Sequence, residues 1–252
     1  MKVYFVGAGP GDVELLTVKA QRLLSTCRCC IYAGSLVNPQ IVDLVPADAQ
    51  RHDSAAMDLE AILAVIVAAR QQGLDVVRLH TGEPAIYGAI GEQMDALDAL
   101  GIAYEVVPGI SSFQAAAAAI CAELTAPEVS QTVILTRTAG RTPVPASEDL
   151  ARLAATRATL CIFLSTAKIA DLTATLSSHY GSDCPAAIVY HASWPDQKVL
   201  RGTLAGIAPA AEAAGLTKTA MILVGWALKR PYGAKSKLYD KAFTHEYRKG
   251  RP

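Results

Sequence analysis

The sequence lacks a net charge: 23 Lys and Arg balance 23 Asp and Glu over 252 residues. The total therefore gives no reason to expect a nucleic-acid partner. It also lacks a long apolar run. The longest strongly apolar stretch, Ala61 to Ala69, falls far short of the roughly 20 residues that a membrane-spanning helix needs. An export signal is missing too. Met1-Lys2-Val3-Tyr4-Phe5-Val6-Gly7 turns into a glycine loop at once and reads as a first strand. The expectation is a cytoplasmic protein without a membrane partner. Metal-site spacing is absent as well. Cys27, Cys29 and Cys30 cluster, but C-x-C-C is not the usual spacing of a tetrahedral zinc site, and no histidine lies close in sequence. They read as small residues at a helix-to-strand junction, and no metal is expected. Cys121, Cys161 and Cys184 stand singly in apolar surroundings and read as core thiols.

What is present is an apolar fraction of 52%, ample for a buried core. Short β-rich runs (Val3–Val6, Arg28–Tyr32, Asp75–His80, Tyr104–Val107) alternate with helical periodicities (Val13–Ser25, Leu59–Gln72, Ala89–Leu100). Gly73 suits a helix C-cap. This βα alternation predicts a mainly parallel sheet covered by helices. A small-residue helix over Ser112–Cys121 follows, and then the pattern restarts. Thr132–Arg137, Thr159–Ser165, Ala186–His191 and Ala220–Leu228 read as strands, and Glu148–Ala155 and Ile169–Ser177 as helices. The expected fold class is α/β, with two α/β domains, residues 1–112 and 113–252, and a ligand cleft between them. The tail after Leu228 is basic, with Lys229, Arg230, Lys235, Lys237, Lys241, Arg248, Lys249 and Arg251 against Asp240 and Glu246. It reads first as a solvated, partly disordered end, and second as a means of attracting an anionic substrate.

Three loops carry the chemistry. Gly7-Ala8-Gly9-Pro10-Gly11-Asp12 follows the first strand. It approaches the dinucleotide fingerprint G-x-G-x-x-G, but Asp12 holds the place of the third glycine. A carboxylate there disfavours a pyrophosphate, and with it NAD or FAD. Thr81-Gly82-Glu83-Pro84-Ala85-Ile86-Tyr87-Gly88 stands at the carboxyl end of another strand, and Val107-Pro108-Gly109-Ile110-Ser111-Ser112 at the end of a third. Open α/β sheets place ligands at such strand ends.

Together, G-x-G-P-G-D, T-G-E-P-x-I-Y-G and V-P-G-I-S-S resemble the tetrapyrrole methylase family, over Val3 to about Arg230. Tyr32-Ala33-Gly34-Ser35-Leu36-Val37, Thr136-Arg137-Thr138-Ala139-Gly140-Arg141-Thr142-Pro143 and Tyr190-His191-Ala192-Ser193-Trp194-Pro195 are similar to the precorrin-4 C11-methyltransferases of cobalamin biosynthesis. The resemblance implies S-adenosylmethionine (SAM) as co-substrate, on a fold unlike the Rossmann-like methyltransferases. Carried onto matching positions, it implies SAM contacts from Pro10, Thr81, Gly82, Glu83, Ile86, Tyr87, Ser111 and Ser112, and from Leu164, Ala192 and Ala220 in the second half. Family members often have Asp where this chain has Glu83. A homodimer is also implied.

The implied acceptor bears many carboxylates. Arg137 and Arg141 suit them as bidentate partners, and Ser35 suits a hydrogen bond to the macrocycle edge. Carbon 11 becomes fully substituted on methylation, so no proton leaves it and no strong general base is needed there. No catalytic residue is assigned; His80 and His191 read as structural support. The alternatives are cobalt-precorrin-4 as substrate, another position or tetrapyrrole, a nucleotide-dependent oxidoreductase, and a carrier that binds without turnover.

Overall fold

The computed structural model describes residues 1–34, 36–233 and 236–251. Ser35 therefore lies outside the described residues. Two compact units emerge: Met1–Ala115 with His191–Gln197, and Ala116–Tyr190 with the chain from Lys198 onward. The division falls within the helix α5 (Ser112–Ala119).

In the first unit, alternate residues of a strand face opposite sides, and in the three inner strands both sides are mostly buried and apolar. That pattern marks a sheet buried on both faces. Its strands are β1 (Lys2–Gly7), β2 (Cys29–Tyr32), β3 (Gln50–Asp53), β4 (Val76–His80) and β5 (Ala103–Val107). They lie in the order β3-β2-β4-β1-β5, and every pairing is parallel. Val6, Cys30, Val77 and Leu79 pack with Ala20 and Leu24 of α1 (Val18–Thr26) and with Ile41 of α2 (Pro39–Val42). On the opposite face, Val3, Phe5, Ile31 and Val76 pack with Ile62 and Ile66 of α3 (Leu59–Gln71) and Leu97 of α4 (Gly91–Ala99).

Capping chemistry sets the helix ends. Asp58 accepts from Ala61 N at 2.8 Å to start α3. Gly73, at φ +67°, turns the chain after it, with Leu74 N donating to the Ala69 carbonyl. The helix expected over Val13–Ser25 is broken. A 3-10 turn spans Val13–Leu15, and α1 begins only at Val18. Two caps in succession explain the break: Asp12 Oδ1 accepts from Glu14 N, and Thr17 Oγ1 accepts from Ala20 N.

The second unit holds a sheet in the order β6-β7-β10-β8-β9. Its strands are β6 (Val133–Arg137), β7 (Thr159–Phe163), β8 (Pro185–Tyr190), β9 (Lys198–Thr203) and β10 (Ala220–Val224). Only β6 and β7 run parallel; the other three pairings are antiparallel. Leu160, Ile162, Ile188 and Ile222 bury against Leu172 and Leu176 of α7 (Ile169–Tyr180) and Ile207 and Ala211 of α8 (Leu204–Ala213). The short α6 (Leu150–Ala154) adds Leu150 and Ala154.

Three expectations change in detail. Cys121 is exposed, at φ +49°, just past α5, rather than a core thiol; Cys161 and Cys184 are buried. The last strand stops at Val224, because Gly225 turns the chain at φ +151°. The tail is hydrogen-bonded rather than loose: Arg248 donates to the Leu238 and Asp240 carbonyls, both at 2.7 Å. No described helix is long and apolar enough to cross a membrane.

Tyr180 is the core residue most exposed to a simple test. Its buried hydroxyl donates to the Ala158 carbonyl at 2.5 Å. Tyr180→Phe leaves that carbonyl buried without its donor and should cost about 1–3 kcal/mol. Urea unfolding reads the loss as a lower midpoint; an unchanged midpoint would show that the hydroxyl contributes nothing.

Candidate active site

Strands β4, β1 and β5 are neighbours in one parallel sheet, so their carboxyl ends lie side by side. All three sequence loops begin there. Backbone bonds stitch them together. Ala8 N donates to the His80 carbonyl at 2.7 Å, and Gly82 N donates to the Gly9 carbonyl at 2.8 Å. Gly9 N returns a longer bond, 3.3 Å, to the Gly82 carbonyl. Glu83 ties in the third loop: Oε2 accepts from Gly109 N at 2.8 Å, and Oε1 from Ala85 N at 2.9 Å. The carboxylate expected to meet a ligand therefore holds two loops in register.

The glycines permit this closeness. A β-carbon on Gly7 would stand 2.6 Å from Gly109 Cα, Gly109 N and the Gly82 carbonyl oxygen. No side chain fits there. Gly82 differs: it has φ +62°, and the nearest atom to its missing β-carbon is 3.8 Å away. Its positive φ, rather than a collision, is what favours glycine there. Thr81 and Tyr87 are exposed beside it, and Ile86 is half-buried. Tyr87 and Ala89 take φ +57° and +48°, backbone settings that side chains rarely adopt. Ser111 is buried, its N–H bonded to Gln114 Oε1 at 2.9 Å, and Ser112 opens α5.

The first loop is clamped by a segment from much later in the chain. Trp194 Nε1 donates to the Pro10 carbonyl at 2.8 Å, and Asp12 N donates to Ser193 Oγ at 3.0 Å. A β-carbon on Gly11 would fall inside the Trp194 ring. The His191 ring lies 4.9 Å from that of Trp194, and its Nδ1 meets Asp196 Oδ1 at 2.9 Å. Ala192 is buried in this clamp. Buried Asn38 completes it, donating to the Gly11 carbonyl at 2.8 Å. Trp194, Ser193 and Asn38 were not singled out from the sequence. For Asn38 there was no signal; for Trp194 there was one, the Tyr190–Pro195 stretch.

The structure thus brings Pro10, Thr81, Gly82, Glu83, Ile86, Tyr87, Ser111, Ser112 and Ala192 into one unit. Leu164, Ala220, Arg137 and Arg141 belong to the second. Leu164 follows β7 at φ +53° and is 77% exposed. Ala220 opens β10, its carbonyl accepting from Thr166 Oγ1 at 3.4 Å. Arg137 donates to the Thr142 and Pro143 carbonyls at 3.1 and 2.7 Å. Its guanidinium shapes its own loop, whereas Arg141 is exposed.

His80 sits beneath the loops, its Nε2 buried with no partner among the described residues. Burial, with the Arg78 charge adding to it, holds the ring neutral down to about 3, against an ordinary 6.5. Asp12 caps the 3-10 turn, and the first α-helix starts six residues beyond it. The loop therefore does not aim a helix N-terminus at a phosphate as a dinucleotide fold does.

A family model described as Tetrapyrrole (Corrin/Porphyrin) Methylases matches residues 2–208, spanning all three loops. The chain belongs to the tetrapyrrole methylase family. Among its members, the Methanocaldococcus jannaschii cobalt-precorrin-4 C(11)-methyltransferase is 51% identical over 98% of this chain and 96% of its own. The Pseudomonas aeruginosa precorrin-4 C(11)-methyltransferase is 50% identical over 99% of this chain and all of its own. A solved cobalt-precorrin-4 methyltransferase superposes with a TM-score of 0.89 at 43% identity, covering 91% of this chain and 96% of that one. A Thermus thermophilus uroporphyrin-III C-methyltransferase, solved with S-adenosyl homocysteine, gives 0.75 at 27%, over 91% and 94%. The family fold is the α/β arrangement expected, and its members use SAM.

Three measurements test this site. Gly109→Ala forces β-carbon contact with Gly7 Cα at 2.8 Å and should cost about 3 kcal/mol, the upper range for overpacking. Gly91→Ala, with no atom within 4 Å, is the control, and equal thermal shifts would show that the loops are not in contact. Trp194→Phe keeps an aromatic ring, smaller than indole, but loses the Pro10 bond, and should cost about 1 kcal/mol or more together with some SAM affinity; calorimetric titration reads the latter. For His80, the unfolded ring takes a proton near 6.5 and the folded ring only near 3. Stability therefore falls as pH drops through that window. His80→Gln should flatten the slope of unfolding free energy against pH between them, and identical slopes would mean the ring is solvated.

Proposed function

We propose that this protein transfers a methyl group from SAM to C11 of precorrin-4, giving precorrin-5. The observation that carries the reading is the interlocked glycine cluster at the ends of β1, β4 and β5, in a chain about 50% identical over its full length to C11-methyltransferases. A second reading, cobalt-precorrin-4 as acceptor, is favoured by the M. jannaschii relative and by the solved neighbour.

The residues fit an adenosyl sulfonium ligand. Gly82 sets the Ile110 carbonyl 3.9 Å from the place its β-carbon would take. Carbonyls suit a cation and deter a phosphate. Bound SAM supplies an electrophilic methyl on sulfur. The protein's part is to hold and align, which is worth about 7–11 kcal/mol in well-oriented reactions. Pro10, Thr81, Gly82, Ile86, Tyr87, Ser111, Ser112 and Ala192 are proposed to line the SAM site, with Leu164 and Ala220 contributing from their own unit. Glu83 is proposed to act on SAM through the loop geometry it fixes. Arg141 is the stronger candidate for a substrate carboxylate, since Arg137 is engaged by the Thr142 and Pro143 carbonyls. No side-chain base is assigned: C11 loses no proton, and the charge left on the macrocycle is relieved at a ring N–H. The same reading includes a cytoplasmic homodimer with no metal of its own. The balanced charge supports the absence of a nucleic-acid partner.

The test is anaerobic turnover with methyl-labelled SAM and three acceptors: precorrin-4, cobalt-precorrin-4 and uroporphyrinogen III. One label at C11, read by carbon NMR, is expected, with precorrin-4 turned over fastest. Label at another carbon overturns the position. SAM binding without product in all three would make the protein a carrier.

A further inference from the structure

The last residues fold into a small module of their own. Asp240 Oδ1 accepts from Ala242 N, and His245 and Arg248 exchange backbone bonds of 2.8 and 3.0 Å. Arg251 N donates to the Lys241 carbonyl, and Gly250 N to Thr244 Oγ1. A module held this tightly by backbone bonds fixes what its side chains present. They present rings and cations. Phe243, His245 and Tyr247 form a row, with centroids 6.3 and 6.5 Å apart. Tyr247 and Tyr239 are 87% and 82% exposed, well beyond what a folded segment needs for its own core. Lys241, Lys249 and Arg251, in the same short module, are exposed, and no described carboxylate pairs with them. The Arg248 guanidinium, by contrast, is bonded inward.

Exposed rings and unpaired cations in one short module match a flat, conjugated, polyanionic ligand. The rings offer stacking surface, and the cations offer charge to peripheral carboxylates. The family model stops at residue 208, so the common family machinery does not include this module. The C11-methyltransferase relatives, matched over 98% and 99% of this chain, extend over it. We propose that the C-terminal module, through Phe243, His245 and Tyr247 with Lys241, Lys249 and Arg251, is a binding surface for the carboxylate-bearing tetrapyrrole. This rests on the reading above that the acceptor is a tetrapyrrole. The module selects substrate and takes no part in holding SAM.

Two variants of the full chain test it. The first is Lys241→Glu with Lys249→Glu and Arg251→Glu; the second is Phe243→Leu with Tyr247→Leu. All five positions are exposed, so the fold should survive; far-ultraviolet circular dichroism and SAM affinity check that it does. With precorrin-4, the charge variant should raise acceptor KM about tenfold, the sum of a few exposed ion pairs, with kcat and the KM for SAM unchanged. Added salt should raise the wild-type acceptor KM more steeply than that of the charge variant. The ring variant should lose affinity for uroporphyrin III, read by porphyrin fluorescence, but keep its affinity for polyglutamate. Acceptor KM equal to wild type in both variants overturns the proposal. So does polyglutamate competing as well as uroporphyrin, which would make the module a general polyanion surface. If wild type turns over no tetrapyrrole, the methyltransferase reading fails; the fluorescence titration still decides the module, because it needs no turnover.

Discussion

Everything at the candidate site depends on three backbones coming closer than side chains allow. Gly7 and Gly109 meet against the Gly82 carbonyl, where the β-carbon of any other residue would collide with backbone at 2.6 Å or less. Parallel strand order makes the meeting possible, since β4, β1 and β5 are adjacent and end on the same side. Backbone amides, rather than side chains, then set the shape of the wall. That choice suits a ligand recognised by a cation and a flat base, because peptide carbonyls are numerous, rigid and correctly signed for a sulfonium.

The clamp on the first loop extends the same logic. Pro10 limits the turn on one side, and the Trp194 ring fills the space that Gly11 leaves on the other. Asn38 and Ser193 satisfy the peptide groups that this crowding would otherwise strand. A loop held from both sides loses little entropy when a ligand arrives, which is the physical meaning of preorganisation.

The sequence made the loops legible because glycine and proline at strand ends have few other uses. It made β1, β2 and β4 legible because strands buried on both faces read as near-continuous apolar runs. The polar edge strand β3, Gln-Arg-His-Asp, gave no such run. Strand β9 is an edge as well, and α8 carries Pro209 inside a helix of low contrast. Antiparallel pairing in the second sheet was hidden for a different reason: the direction of a strand is set by its connections, not by its own residues. The roles of Glu83 and Arg137 were half legible. Their charge is plain in the sequence, but their partners are peptide groups 26 and 6 positions away at most, and spacing alone does not reveal those. A linear reading also has no means of finding that His191–Gln197 returns to the first unit.

That return has a temporal side. A chain made from its amino end completes residues 1–115 long before it reaches residue 197. At about 5–20 residues per second, the interval is roughly 4–16 s. Throughout it the first sheet can form, while the ring that closes over Gly11 does not yet exist. The nascent protein thus passes through a stage with its strands paired and its ligand loop unlatched, and the ribosome, not the fold, decides how long that stage lasts.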